Sequence, residues 1–475
     1  MPTTRTGAVG SSEEAALLGP VHFIGVGGVG MSGLARLLVA RGTTVSGSDA
    51  RESANARALR ALGVTVHIGH DAGHLGDARA VVVSNAIEDH NPELAAARRR
   101  ALPVLHRARL LAGLMAGKDR VAVAGTVGKT STTSMLTAVA CRGGLDPSFA
   151  IGGHVAEFGA NARHGTGRLF IAEADESDSS FLLLSPDTAV ITNIGAEDHL
   201  EVHGTAENYF RCFERFLDRL PDGGLLVTSA DDAGTVRLTP CARRRLRVRT
   251  FGTSSGADLH VTDITVTPGG SAYRATLDGA PLPPIAIPVP GRHMVMNSAA
   301  ALLTALELGV PVERAAEGLA TYRGVGRRFE FKGRAAGVRV YDDYASYPLK
   351  VRAQLRAARV VAGAGRLVVA FQPSLFSSTR RFAAEFGAAL GEADEVVVLD
   401  VSRARERPLP GVTGALIADA VPLPPDRVTF VPRRSEAAAV LAGLARPGDL
   451  VLTMGSGDVT LVGPELLGLL GDDRV

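Results

Sequence analysis

Short apolar runs, each followed by a turn and then by an amphipathic stretch, recur along most of the chain. Val21-His-Phe-Ile24 predicts a buried strand, and Met31, Leu34, Leu37 and Leu38 repeat at helical spacing up to Ala40. Strands are expected over Thr43–Gly47, Val64–His67 and Ala80–Ser84, with helices over Ser53–Leu62 and Pro92–Arg100. Val121–Ala124 predicts another buried strand. The helix after it runs from Ser131 through Met135, Leu136 and Val139, and Gly143-Gly144 stops it. Two further strands, from Phe170 and over Ala189–Asn193, end in polar clusters. Alternation with many Pro and Gly between Ala257 and Pro290 predicts β-hairpins, and a helix over Met296–Leu308 closes at Gly309. From Val338 the β-α order resumes. Strands Val338–Tyr341, Leu367–Phe371, Glu395–Leu399 and Leu450–Met454 are joined by helices that include Lys350–Val361 and Thr379–Leu390.

This alternation predicts an α/β protein with parallel sheets. A length of 475 residues suits about three domains. The expected division is a small, polar, disordered extension over 1–19, a Rossmann-like domain over 20–116, a central P-loop domain over 117–328 and a Rossmann-like C-terminal domain over 329–475.

Two glycine-rich turns carry the candidate chemistry. Gly125-Thr126-Val127-Gly128-Lys129-Thr130-Ser131 joins a strand to a helix, so backbone N–H groups and a helix N-terminus can cradle phosphate. Lys129 would neutralise that phosphate, and Thr130 would offer its hydroxyl to Mg²⁺. Gly25-Val-Gly27-Gly28-Val-Gly30 also lies between strand and helix. Ser48-Asp49 follows, about where an acid meets a ribose hydroxyl. That fingerprint suits a dinucleotide such as NAD and equally a UDP-linked ligand. Carboxylates gather at two strand ends, Glu173, Asp175, Glu176 and Asp178 at one, Glu197, Asp198 and His199 at the other; such places suit a Mg²⁺ ligand.

Composition narrows the class. Net charge is +2, so neither nucleic acid nor a membrane surface is an expected partner. Cys141, Cys212 and Cys241 have no paired spacing, which predicts a reducing, cytoplasmic setting. Only four of the 51 Lys and Arg residues are lysine, which makes Lys129 in its turn the more telling.

The chain resembles the Mur ligases from about His22 to Asp458. The likeness rests on His22-Phe-Ile-Gly-Val-Gly-Gly-Val-Gly-Met-Ser-Gly33, Glu173-Ala-Asp-Glu-Ser-Asp178, Pro290-Gly-Arg-His293 with Asn297, Gly324-Val-Gly-Arg-Arg-Phe329, Asp342-Asp-Tyr-Ala345, Phe371-Gln-Pro373 and Pro447-Gly-Asp-Leu450. The resemblance implies an ATP- and Mg²⁺-dependent ligase that turns a carboxylate into an acyl phosphate and passes it to an amine. It assigns Lys129, Glu173 and His199 to catalysis, and Thr130, Glu173 and His199 to Mg²⁺. It places Gly125, Thr126, Gly128 to Ser131, Asn297, Arg328 and Asp343 at ATP. It places Gly25, Gly27, Gly28, Gly30, Ser48 and Asp49 at a UDP-linked sugar acid such as UDP-N-acetylmuramate. The amine site would fall at Tyr344, Ser346, Tyr347, Leu375, Ser378 and Arg380. A monomer or homodimer is expected.

The departures fall mainly in the acceptor half. The branch that adds L-alanine has histidine at position 127, two histidines at 346 and 347, and cationic groups near 374–378; here stand Val127, Ser346-Tyr347 and Ser374-Leu375-Phe-Ser-Ser378. An amino-acid carboxylate wants a cation. The sequence therefore favours a changed amine acceptor, with L-alanine as the alternative and Arg380 as a possible substitute cation. A Rossmann oxidoreductase and an inactive nucleotide-binding protein are the rivals from other classes.

Overall fold

The computed structural model describes residues 19–195, 200–402 and 406–471. The expectations for residues 1–18 and for His199 lie outside them. The chain divides into two compact units, one holding residues up to 251 with 300–318, the other 252–299 with the residues from 319 onward.

The first unit contains two sheets. Strands β1 (Val21–Ile24), β2 (Val45–Asp49), β3 (Thr65–Ile68), β4 (Ala80–Val83) and β5 (Val104–His106) are all parallel and lie in the order β3-β2-β1-β4-β5. Chain order reverses beside β1, and the first glycine turn leaves its C-terminal end there, the place where such sheets bind ligands. All four β1 side chains are fully buried, which is why the strand reads as an apolar run broken only by His22. The strand predicted over Thr43–Gly47 lies two residues later. Its pairing with β1 begins at Val45 and takes Ser48 and Asp49 into the sheet.

In the second sheet, β6 (Asp119–Ala124) lies between β9 (Leu169–Glu173) and β10 (Thr188–Ile191). β11 (Leu225–Ser229) and β12 (Arg247–Gly252) extend one side, and the hairpin β7 (Ser148–Val155) and β8 (Ala160–Arg163) the other. Register decides what meets at the sheet edge. Val123 pairs with Glu173, and Ala124 with Ile191, so the second glycine turn, Glu173 and Asn193 leave the sheet side by side. The helix Lys129–Arg142 is rich in Ser and Thr yet buried over most of its length. Its hydroxyls close back onto the preceding turn: Thr133 Oγ1 donates to Lys129 O at 2.7 Å and Thr137 Oγ1 to Thr133 O at 2.8 Å.

The second unit begins with the expected hairpins, β13 (Leu259–Thr267) and β14 (Gly270–Leu277), with β15 (Ala280–Pro281) and β16 (Ile285–Ile287) pairing on β14. Its main sheet is ordered β17-β18-β22-β19-β20-β21. The strands are β17 (Glu330–Ala335), β18 (Val338–Asp343), β19 (Leu367–Phe371), β20 (Glu395–Leu399), β21 (Val428–Val431) and β22 (Leu450–Met454), and only β17 is antiparallel. Among the described residues, no helix is long and apolar enough to cross a membrane.

Candidate active site

The second glycine turn is held from behind by side chains of neighbouring strand ends. Val127 N–H donates to Asn193 Oδ1 at 3.0 Å, while Asn193 Nδ2 and Thr192 Oγ1 donate to Val127 O at 2.8 and 2.6 Å. Thr126 Oγ1 lies 2.9 Å from Tyr209 OH and accepts from Gly195 N–H at 2.8 Å. Gly125 has φ +127°, and a Cβ there would stand 2.2 Å from Thr192 Oγ1, so only glycine lets the turn lie this close to the neighbouring strand. Gly128, at φ +89°, caps the helix that starts with Lys129.

Lys129 Nζ donates to Gly125 O and to Glu176 Oε1, both at 2.7 Å. Burial pulls its pKa down, but Glu176, Asp175 and Glu173 outweigh burial and hold the ammonium charged. Thr130 Oγ1 donates to Glu173 Oε1 at 2.9 Å, and Gly152 N–H donates to Glu173 Oε2 at 2.6 Å. Thr130 and Glu173, two of the three expected Mg²⁺ ligands, are therefore in contact. Their hard oxygen atoms suit Mg²⁺, which takes few protein ligands and completes its shell with phosphate and water. Among the described residues, no group of three or more His, Cys, Asp and Glu could hold a metal. Burial acts to raise the Asp175 carboxyl, yet Arg107 and Lys129 bring it down to about 2.

At the first glycine turn, Gly27 N–H donates to Asp49 Oδ2 at 2.9 Å. A Cβ on Gly27 would meet Ser53 Oγ at 2.7 Å and Asp49 Oδ2 at 2.9 Å, so any side chain there would have to displace both. Asn55 Nδ2 donates to Gly27 O at 2.9 Å. Gly28 caps the helix Val29–Ala40, and Gly30 lies in its first turn. Ser48 turns inward: it is fully buried and donates to Glu93 Oε2 at 2.5 Å, with His70 Nδ1 3.1 Å from its oxygen. Glu93, also fully buried, lies 2.9 Å from His74 Nδ1 and 3.6 Å from His22 Nε2. Burial works to raise its pKa, but the nearby His22 ring and hydrogen bonds from Ser48 and His74 prevail and hold it at about 2.

In the second unit, Asp343 spends both carboxylate oxygens on the main chain, accepting from Phe329 N–H and Ala345 N–H at 2.8 Å each. Burial lifts its pKa to about 6 against the pull of Arg328. Arg327 and Arg328 both stack over the Tyr344 ring. Asn297 is buried on the helix Arg292–Glu307, its amide 3.7 Å from Met294 Sδ. The acceptor positions flank two helix starts. Ser346 is half-buried, and Tyr347 precedes the helix Pro348–Ala362 and packs edge-on against Phe382. Leu375 precedes the helix Phe376–Leu390, which carries half-buried Ser378 and exposed Arg380.

Sequence patterning missed two participants and gave two others no specific role. Glu176 and Asn193 were visible only as members of polar strand ends. Glu93, second in a helix that opens Asn-Pro-Glu, reads as a helix-dipole acid. Arg107 falls in a stretch where a three-residue strand leaves no periodic signal.

Protein-family models match three consecutive stretches of the chain: the Mur ligase family catalytic domain over residues 20–119, the Mur ligase middle domain over 123–305, and the Mur ligase glutamate ligase domain over 327–457. The UDP-N-acetylmuramate–L-alanine ligase of Saccharopolyspora erythraea is 55% identical, covering 96% of this chain and 94% of that one. The enzyme of the same name from Kineococcus radiotolerans is also 55% identical, covering 98% of this chain and all of that one. Among solved structures, the UDP-N-acetylmuramate–alanine ligase MurC of Thermotoga maritima superposes with a TM-score of 0.81 at 28% identity, covering 95% of this chain and 98% of that one.

Proposed function

Since the chain belongs to the Mur ligase family, whose members are ATP-dependent amide-forming ligases, we propose that it joins L-alanine to the carboxylate of UDP-N-acetylmuramate, yielding ADP and phosphate. The observation that carries the chemistry is the convergence of Lys129, Thr130 and Glu173 at the ends of β6 and β9. In this reading a carboxylate oxygen of the sugar acid attacks the γ-phosphorus and the bond to ADP breaks. The amine of L-alanine then attacks the acyl carbon, loses a proton, and phosphate leaves. Positioning and charge neutralisation dominate both steps. Lys129 meets the transferred phosphoryl group, and the turn's N–H groups hold the neighbouring phosphates. Thr130 and Glu173, with His199, would hold Mg²⁺, which would supply neutralisation of phosphate charge. Asn297, Arg328 and Asp343 serve ATP, with Asp343 fixing the Phe329 and Ala345 main chain rather than reaching outward. The first glycine turn takes the uridine diphosphate. Synthesis of a nucleotide-linked precursor suits a cytoplasmic enzyme.

A changed amine acceptor, which Ser346, Leu375 and Ser378 suggest, is the weaker reading. Relatives bearing the L-alanine ligase name match this chain at 49–55% identity over nearly its whole length. Family membership also removes the oxidoreductase reading. A coupled ADP-release assay over several amino acids with UDP-N-acetylmuramate, and mass spectrometry of the product, tests the proposal. Release that depends on L-alanine supports it, and none above background with L-alanine rejects it.

A further inference from the structure

Arg107 is the first residue of the helix Arg107–Met115, at the C-terminal end of β5. Its guanidinium lies between the start of the helix Val29–Ala40 and the acidic strand end after β9. Nη2 donates to Asp175 Oδ2 at 2.7 Å and lies 3.5 Å from Asp178 Oδ2. Nη1 comes within 3.8 Å of the point a Cβ on Gly30 would occupy, beside the first turn of the helix Val29–Ala40. The same strand end carries Glu176, whose Oε1 accepts from Lys129 Nζ at 2.7 Å. Arg107 thus links the start of the helix Val29–Ala40 to the acidic strand end that follows β9.

Charge gives this placement a purpose. Residues 25–33, the first glycine turn and the helix start, contain no Lys or Arg, and the Asp49 carboxylate already faces the turn at Gly27. Main-chain donors and a helix dipole favour an anion, but a diphosphate beside a carboxylate also needs a full positive charge. Arg107 brings one to the helix start. Its fork of five N–H donors can serve Asp175 and a phosphate oxygen together, so it need not give up one to meet the other.

We propose that Arg107 is the cation of the diphosphate subsite, contacting the phosphates of the nucleotide-linked acid and tying them to the acidic strand end beside Lys129. This rests on reading the first glycine turn as the uridine diphosphate site. Arg107 is then what distinguishes a diphosphate from a monophosphate or a bare nucleoside.

Equilibrium binding of UDP, UMP and uridine to the full-length protein, with the ATP KM in the ligase assay, tests this. Arg107→Gln is expected to weaken UDP binding by about tenfold to a hundredfold, while uridine binding and the ATP KM move less than about twofold. Arg107→Lys, which keeps the charge and loses the fork, falls between and carries the same test if the Gln variant folds poorly. Asp178→Asn, which frees one side of Arg107, leaves UDP binding at least as tight as in the unaltered protein. If Arg107 only ties the two sheets together, Arg107→Gln and Asp178→Asn weaken UDP, uridine and ATP alike, and the proposal falls. UDP binding that is unchanged in Arg107→Gln overturns this proposal alone. Failure of the unaltered protein to bind any uridine compound overturns the reading of the first glycine turn with it.

Discussion

Lys129 Nζ and Glu176 Oε1 form a 2.7 Å ion pair in which the carboxylate side chain is fully buried and the lysine nearly so. Breaking such a pair from one side costs more than removing it whole, because a buried charge is left short of its counter-charge. Lys129→Met should therefore destabilise the protein by about 3–5 kcal/mol and lower turnover by at least about a thousandfold. Adding Glu176→Gln should restore part of the lost stability and none of the activity. Thermal melts and ADP release on the single and double variants check both. A double variant that regains turnover would remove Lys129 from phosphate contact.

Glu173 accepts from the Thr130 hydroxyl with one oxygen and from Gly152 N–H with the other. Glu173→Gln keeps the shape and removes the charge a divalent cation needs. The Mg²⁺ concentration for half-maximal ADP release should rise at least about tenfold. An unchanged Mg²⁺ titration would move the ligand role to another carboxylate of the run.

Glu93 supplies a pH signature. Its folded-state pKa of about 2 lies below the ordinary 4.5, so the stability it contributes is present above pH 4.5 and is lost as pH falls from there towards 2. The unaltered protein should lose melting temperature across that window faster than Glu93→Gln does. Near neutrality the Gln variant should be the less stable by about 1.5–3 kcal/mol, the worth of a charged hydrogen bond. Parallel pH profiles for the two proteins would show that Glu93 is not the titrating group.

L-alanine should serve as acceptor with a KM below ~1 mM, the upper end of usual values. Ser346, Leu375 and Ser378 are neutral, so its carboxylate must find a cation elsewhere in the second unit. Arg380→Ala, which removes the exposed arginine on the helix beside Ser378, should raise the L-alanine KM at least about fivefold and leave the ATP KM unchanged. Equal L-alanine KM values for the two proteins would take Arg380 out of the acceptor site. A KM for the unaltered enzyme far above 1 mM would revive the changed acceptor.

Much of the fold was legible because its central strands are buried on both faces. Val121–Ala124 and Leu367–Phe371 are continuous apolar runs for that reason, and Val21–Ile24 is one interrupted only by His22. The three-residue β5, the β7–β8 hairpin and the antiparallel β17 carry no comparable pattern, since each is short or half exposed. At the candidate site, Lys129, Thr130 and Glu173 could be read because turn chemistry and strand ends are local features. The cluster around Glu93 could not. It draws His22 from β1, Ser48 from β2 and His70 and His74 from beyond β3, and only the sheet order brings them together. Asp343 shows the same limit from the other side. Its place was legible, but its work on the Phe329 and Ala345 main chain follows from a turn that residue types do not reveal.

Asn193 and Thr192 grip Val127 by its amide and carbonyl and leave its side chain out of the bargain. The cradle's curvature is thus set by the neighbouring strand, whatever side chain stands at position 127 on a residue that keeps its N–H. A lineage can exchange histidine for valine at that point and keep the mould intact, its shape inherited from the scaffold rather than from the tip. The position that looks most divergent in the motif is the one where a change of side chain is cheapest, and an Asn193→Ala change should deform the turn more than any substitution of Val127 that keeps the backbone N–H.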